Sequence, residues 1–78
     1  GREIDVRGMR VEEAGRKLDS VLDQAILQGL RDLKIVHGSG SGALRSFIRE
    51  RLKVNLLVKE IKLDDTDSAD GVTLVELT

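Results

Sequence analysis

The sequence predicts an α/β chain, an α+β two-layer sandwich in which a mixed four-stranded sheet carries both helices on one face. Three observations lead there. Hydrophobic spacing switches between strand and helix periods in the order βαβαββ. Seventy-eight residues leave room for one core and not two. The last apolar stretch, Val72-Thr73-Leu74-Val75, is continuous enough to lie inside a sheet rather than along its edge.

The first strand is Ile4-Asp5-Val6-Arg7, alternating apolar and charged, with Gly8 ending it. From Val11 to about Gln28 the apolar positions Val11, Ala14, Leu18, Val21, Leu22, Ala25 and Ile26 recur by threes and fours, the mark of an amphipathic helix. Glu12 and Glu13 suit its first turn, Arg10 offers no capping oxygen, and Gly29 suits a left-handed stop on which Leu30 folds back. Gly15, inside that helix, costs about 1 kcal/mol relative to alanine. Leu33 to His37 reads as the second strand. A second helix begins near Ser41 and stops near Asn55, with Leu44, Phe47, Ile48 and Leu52 on its apolar face. Leu57 to Leu63 and Val72 to Leu77 are the closing strands, joined by the acidic connection Asp64 to Gly71, whose spacing lacks the calcium-loop pattern. Two right-handed crossovers put both helices on one face, and a terminal hairpin with a buried last strand gives the spatial order 1-2-4-3.

Composition excludes several chemistries. The absence of cysteine removes disulfides, thiolate zinc sites and a cysteine nucleophile, and a single histidine removes multi-histidine metal sites. No apolar run reaches membrane-spanning length and no signal-peptide pattern precedes the first strand, so a cytoplasmic protein without a membrane partner is expected. The abrupt start is expected of one domain, residues 1–78, excised from a larger protein whose remaining domains are partners. Net charge is −1, yet Lys34 to Lys53 holds Lys34, Arg45, Arg49, Arg51 and Lys53 against Glu50 alone. One aromatic residue, Phe47, is too few for base-stacking platforms. Nucleic-acid contact would therefore fall on backbone phosphate, with weak sequence preference.

Chemistry concentrates where two strands end. If strands one and two are parallel neighbours, about 5 Å apart, Arg7-Gly8 and His37-Gly38 emerge at one edge, the edge where open α/β sheets bind ligands. The stretch His37-Gly38-Ser39-Gly40-Ser41-Gly42-Ala43-Leu44-Arg45 is a glycine-rich strand-to-helix loop whose amides and helix start suit an anion. It lacks the Walker lysine and the dinucleotide spacing, which argues against nucleotide binding.

Ile4-Asp5-Val6-Arg7-Gly8, the helix opening Val11-Glu12-Glu13-Ala14, the run His37 to Arg45 and the closing Gly71-Val72-Thr73 together resemble the small MutS-related (Smr) domain over nearly the whole chain. The likeness is strongest to copies at the C-terminus of the second type of bacterial MutS protein. The resemblance implies a fold like the C-terminal domain of translation initiation factor three and a nicking endonuclease or nucleic-acid-binding domain, in a setting such as DNA repair or recombination. It implies DNA, branched or double-stranded, as partner, and RNA or a ribosome through members acting in RNA processing and ribosome rescue. The family's acid and basic residue associated with nuclease activity fall on Asp5 and Arg7, and its His-Gly-x-Gly motif on His37, Gly38, Ser39 and Gly40. Relatives often carry lysine at the third motif position, where this chain has Ser39.

On that reading Asp5 activates water or holds a divalent ion, Mg or Mn, with no ligand set assigned. Arg7 pairs with phosphate and His37 exchanges a proton. Gly8, Gly38, Ser39, Gly40, Ser41 and Gly42 line the phosphate site, with Arg45 and Arg49 adding charge. Plainer explanations stand beside these. Asp5 and Arg7 would make a solvated ion pair, His37 alternates with Leu33 and Ile35 and would turn inward onto a loop carbonyl, and Arg45 and Arg49 would be a wet helix face. A single carboxylate is a thin metal site. The competing functional class is a non-catalytic module that grips DNA, RNA or a ribosome and leaves catalysis to other domains.

Overall fold

A computed structural model describes residues 2–40, 42–62 and 71–78. Ser41 and the acidic connection up to Asp70 lie outside the described residues. In chain order the elements are β1 (Arg2–Asp5), α1 (Val11–Leu27), β2 (Asp32–Val36), α2 (Ala43–Lys53), β3 (Val58–Lys62) and β4 (Val72–Leu77). The sheet order is β1-β2-β4-β3, with β1 parallel to β2 and β4 antiparallel to both neighbours. The spatial order expected from the buried character of the last strand is thus the one observed.

The stripe that marks α1 in the sequence is the stripe it buries, through Ala14, Leu18, Val21, Leu22 and Ala25. These side chains meet Ile4, Val6, Leu33, Ile35, Val75 and Leu77 from the sheet and Ile48 and Leu52 from α2 in one core. Each fully buried Leu or Ile contributes about 1.5–3 kcal/mol of transfer free energy. α1 ends as its sequence indicates: Gly29 has φ 75°, its N–H donates to Ile26 O, and Leu30 N–H donates to Ala25 O. That pair of bonds is the Schellman arrangement.

Gly15 has a packing reason that helix propensity alone does not reveal. A Cβ there would stand 3.1 Å from Phe47 Cζ and 3.1 Å from Arg51 Nη1, so its absence lets α2 approach α1. Arg51 spans the same contact, pairing with Asp19 at 2.6 Å and lying 5.6 Å from the Phe47 ring centre. Phe47, expected in the core, is half-buried and packs on its margin.

Four elements differ in their bounds from expectation, among them β2, which covers Asp32–Val36 rather than Leu33 to His37. β1 covers Arg2–Asp5 rather than Ile4 to Arg7, because the Asp5 carboxylate accepts the Arg7 N–H at 3.0 Å and turns the chain. Val6 keeps the sheet bond, donating to Val36 O at 2.9 Å. α2 starts at Ala43, after Gly42 in a left-handed conformation of φ 87°, and ends at Lys53. β3 begins at Val58, since Asn55 turns the preceding residues by accepting the Leu57 N–H on its side chain and the Val58 N–H on its carbonyl. No helix among the described residues is long and apolar enough to cross a membrane.

Candidate functional site

The register of the two parallel strands decides whether their turns meet. Asp5 lies opposite Val36, and the Val6 bond to Val36 carries the pairing past the end of β1. The next residue, Arg7, comes level with Gly38, and its Cγ lies 3.4 Å from where a Gly38 Cβ would stand. A Cβ at position 38 would only touch Arg7 at ordinary contact distance, so it is φ 85° that favours glycine there. β4 reaches the same lip: the Gly71 carbonyl accepts both the His37 and the Gly38 N–H at 3.0 Å. Three sheet strands thus fix the base of the glycine loop, with Ser39 and Gly40 exposed beyond it.

Asp5 and Arg7 form one exposed unit at this lip. Arg7 Nη2 donates to Asp5 Oδ2 at 2.6 Å, and Arg7 Nε reaches Oδ1 and Oδ2 at 3.0 and 3.1 Å. The Arg7 side chain, followed by the Arg7 backbone N–H, holds the Asp5 carboxyl at about 2, below its ordinary 3.8. Asp5 is consequently a carboxylate throughout the neutral range and a weak base. From α1, Lys17 Nζ donates to the Asp5 carbonyl at 3.3 Å and adds positive charge beside the pair. Arg7 keeps 63 % of its side chain exposed, so an incoming phosphate can reach it.

His37 is placed differently from an exposed proton donor. It is 4 % exposed and turns to the helix side of the sheet, in line with Leu33 and Ile35. Nδ1 lies 3.0 Å from Gly38 O and Nε2 lies 2.8 Å from the Thr73 hydroxyl, so both ring nitrogens are occupied. Burial pushes its pKa below 6.5 against the opposing pull of the Gly38 carbonyl, and the charges of Arg49 and Arg45 push the same way as burial. The ring is neutral at pH 7 and presents neither proton nor lone pair to solvent. As an acid–base group it does not fit this arrangement, for the physical reason that its alternation with Leu33 and Ile35 points it into the sandwich.

The two arginines of α2 also part company. Arg49 is half-buried and donates from Nε to Thr73 Oγ1 at 3.0 Å, so it is anchored in the fold rather than lying on a wet face. Arg45 curls back over the loop: a Cβ on Gly42 would stand 3.0 Å from Arg45 Nη2. Gly42, at the N-cap position of α2, has no side chain with which to cap it. Gly8, at φ 78°, turns the first loop with open space around its Cα. Of the residues expected at the site, Arg7, Gly38 and Gly71-backed His37 converge, Arg45 borders the loop, and Ser41 lies outside the described residues.

Thr73 was not singled out by its sequence context, although a signal existed. In β4 it shares the inward face with Val75 and Leu77 and is the polar member of that row. The strand order sets it opposite Ile35, beside the inward His37. The donors near the lip bear on a divalent-ion site as well. Among the described residues no three His, Cys, Asp or Glu side chains group to hold a metal, and both Asp5 oxygens are held by Arg7. Among the described residues none therefore groups into a ready site for a resident metal.

Comparison with known proteins agrees with the geometry. Residues 4–78 match the Smr domain family. The chain is 47 % identical over 76 residues to a protein named endonuclease MutS2 from Acetivibrio thermocellus, covering 96 % of this chain and 10 % of that protein. It is 44 % identical over 75 residues to endonuclease MutS2 from Listeria welshimeri, covering 95 % of this chain and 10 % of that one. The chain therefore spans about a tenth of the length of the curated relatives it matches. The crystal structure of the Smr domain of Thermus thermophilus MutS2 superposes with a TM-score of 0.94 at 38 % identity, covering 100 % of this chain and 99 % of that one.

Proposed function

Because the chain belongs to the Smr domain family, we propose that it is a nucleic-acid-binding, nuclease-type domain that grips a phosphodiester at the joint carboxyl ends of β1 and β2 and nicks the strand there. The observation that supports this reading most is that the Arg7 side chain lies 3.4 Å from where a Gly38 Cβ would stand, which brings the two motif-bearing turns to one surface. Arg7 meets a phosphate oxygen, Gly38, Ser39 and Gly40 of the loop offer backbone N–H groups to the charge that grows on phosphorus, and Arg45 adds a guanidinium at the loop's far end. Asp5, ionised at neutral pH, orients Arg7 and the attacking water. The water oxygen bonds to phosphorus and gives up a proton to solvent, one ester P–O bond breaks, the leaving sugar oxygen takes a proton from solvent, and the products are a terminal phosphate and a free sugar hydroxyl. Contact with backbone rather than bases makes sequence preference low.

A second reading has its own support. Asp5 is a weak base tied to Arg7, and His37 is shut from solvent. The same surface would then serve as a non-catalytic grip on DNA, RNA or a ribosome, with catalysis left to other parts of a larger protein. Incubation with supercoiled plasmid, with and without Mg or Mn, distinguishes the two. Relaxation lost on Asp5→Ala and Arg7→Ala supports the nuclease. Retention of plasmid by the wild type without relaxation under either condition supports the grip.

A further inference from the structure

Around His37 the hydrogen-bond partners leave one consistent assignment of protons. The Arg49 guanidinium can only donate, so Thr73 Oγ1 accepts from its Nε at 3.0 Å. The Gly38 carbonyl can only accept, so in a neutral ring Nδ1 carries the proton and Nε2 is left to accept the Thr73 hydroxyl proton at 2.8 Å. Nδ1–H faces the Gly38 carbonyl at 3.0 Å. Thr73 is fully buried, and no buried side-chain nitrogen or oxygen among the described residues lacks a partner.

We infer that Arg49 and Thr73 are positioning residues that fix His37 as its Nδ1–H tautomer, and that His37 in turn clamps the Gly38 carbonyl and sets the backbone of the phosphate loop. The inference rests on the anion-binding part of the function proposed above and requires no cleavage. It assigns the family's histidine here to the loop's shape. It also adds Thr73, in β4, to the residues on which that loop depends, at 36 residues' distance in the chain. Each link is directional, so replacing one member releases the next: without the Thr73 hydroxyl, Nε2 loses its donor, the ring is free to take the other tautomer, and the bond to Gly38 goes with it.

The test is the imidazole nitrogen spectrum of the 15N-labelled chain at neutral pH, with the amide resonances of Gly38, Ser39 and Gly40 followed as inorganic phosphate is added. Wild type should show a protonated Nδ1 and a bare Nε2. Thr73→Val keeps a β-branched residue of the same shape in the strand; it should give mixed tautomers, shifted loop amides and phosphate binding weaker by about three- to tenfold. Thr73→Ser should restore all three. A wild-type ring protonated on Nε2 would overturn the inference without any variant, as would a Thr73→Val protein with wild-type tautomer and loop resonances. Should wild type bind no phosphate, the anion-site reading fails on its own, and the tautomer with the loop resonances still decides the relay.

Discussion

The two turns that meet at the sheet edge are built on opposite principles. The turn after β1 holds its acid and its base in the open: Asp5 and Arg7 bond to each other, and the partner of each is only two residues away. The turn after β2 hides its titratable group. His37 is buried, and its partners come from β4 directly and from α2 through Thr73. The first turn is thus local and replaceable in the fold, whereas the second is wired into the core. The contrast teaches that residues of equal standing in the family motifs are held in different ways, one exposed and paired locally, the other buried and tied to distant elements.

Substitution should separate them most strongly. His37→Ala removes a buried ring and leaves the Thr73 hydroxyl and the Gly38 carbonyl without their partner, at a cost of about 2–4 kcal/mol in a chemical denaturation. Asp5→Ala should leave the denaturation midpoint close to wild type while abolishing plasmid relaxation. Equal loss of stability in both variants would erase the contrast.

The arginines of α2 extend it. Arg45→Ala should weaken binding to duplex DNA and lower the salt dependence by about one unit of slope. Arg49→Ala should also lower the unfolding midpoint, since it takes away the donor to buried Thr73. A wild-type midpoint for Arg49→Ala would return that residue to the surface.

Acidity separates the turns by pH window. The His37 pKa lies below 6.5 in the folded chain, so the stability it contributes is complete above that value and is lost as pH falls below it toward the folded pKa. The Asp5 pKa is lowered to about 2, so its contribution is present above 3.8 and is lost only between 3.8 and about 2. Denaturation midpoints measured from pH 8 to pH 5 should fall for wild type and stay flat for His37→Gln. A parallel fall in both would assign the slope to another group.

The smallest effect is expected away from both turns. Gly15→Ala should bring none of the usual gain of about 1 kcal/mol in a helix, because the added methyl meets Phe47 and Arg51 at 3.1 Å. A clear rise in midpoint would mean that α2 yields easily, and that the core to which the second turn is tied is softer than its burial indicates.

Much of this was legible in the sequence. Period alone placed both helices, the sheet order followed from the apolar last strand, and the glycines at the strand ends marked the lip. The alternation Leu33, Ile35, His37 already pointed the imidazole inward. What the sequence left open was which partners a buried His37 would find. That depends on β4 entering the sheet between β2 and β3 and on α2 lying over it, which are pairings between residues 24 and 36 positions apart. The reason for Gly15 was hidden likewise, since the close approach of two helices leaves no trace in the period of either.

Titration of the labelled chain with inorganic phosphate tests the shared lip most directly. If the two turns form one anion site, the amides of Arg7 and Gly8 and those of Gly38, Ser39 and Gly40 shift together along one binding curve. Movement confined to one turn, or two curves with separate midpoints, would contradict it.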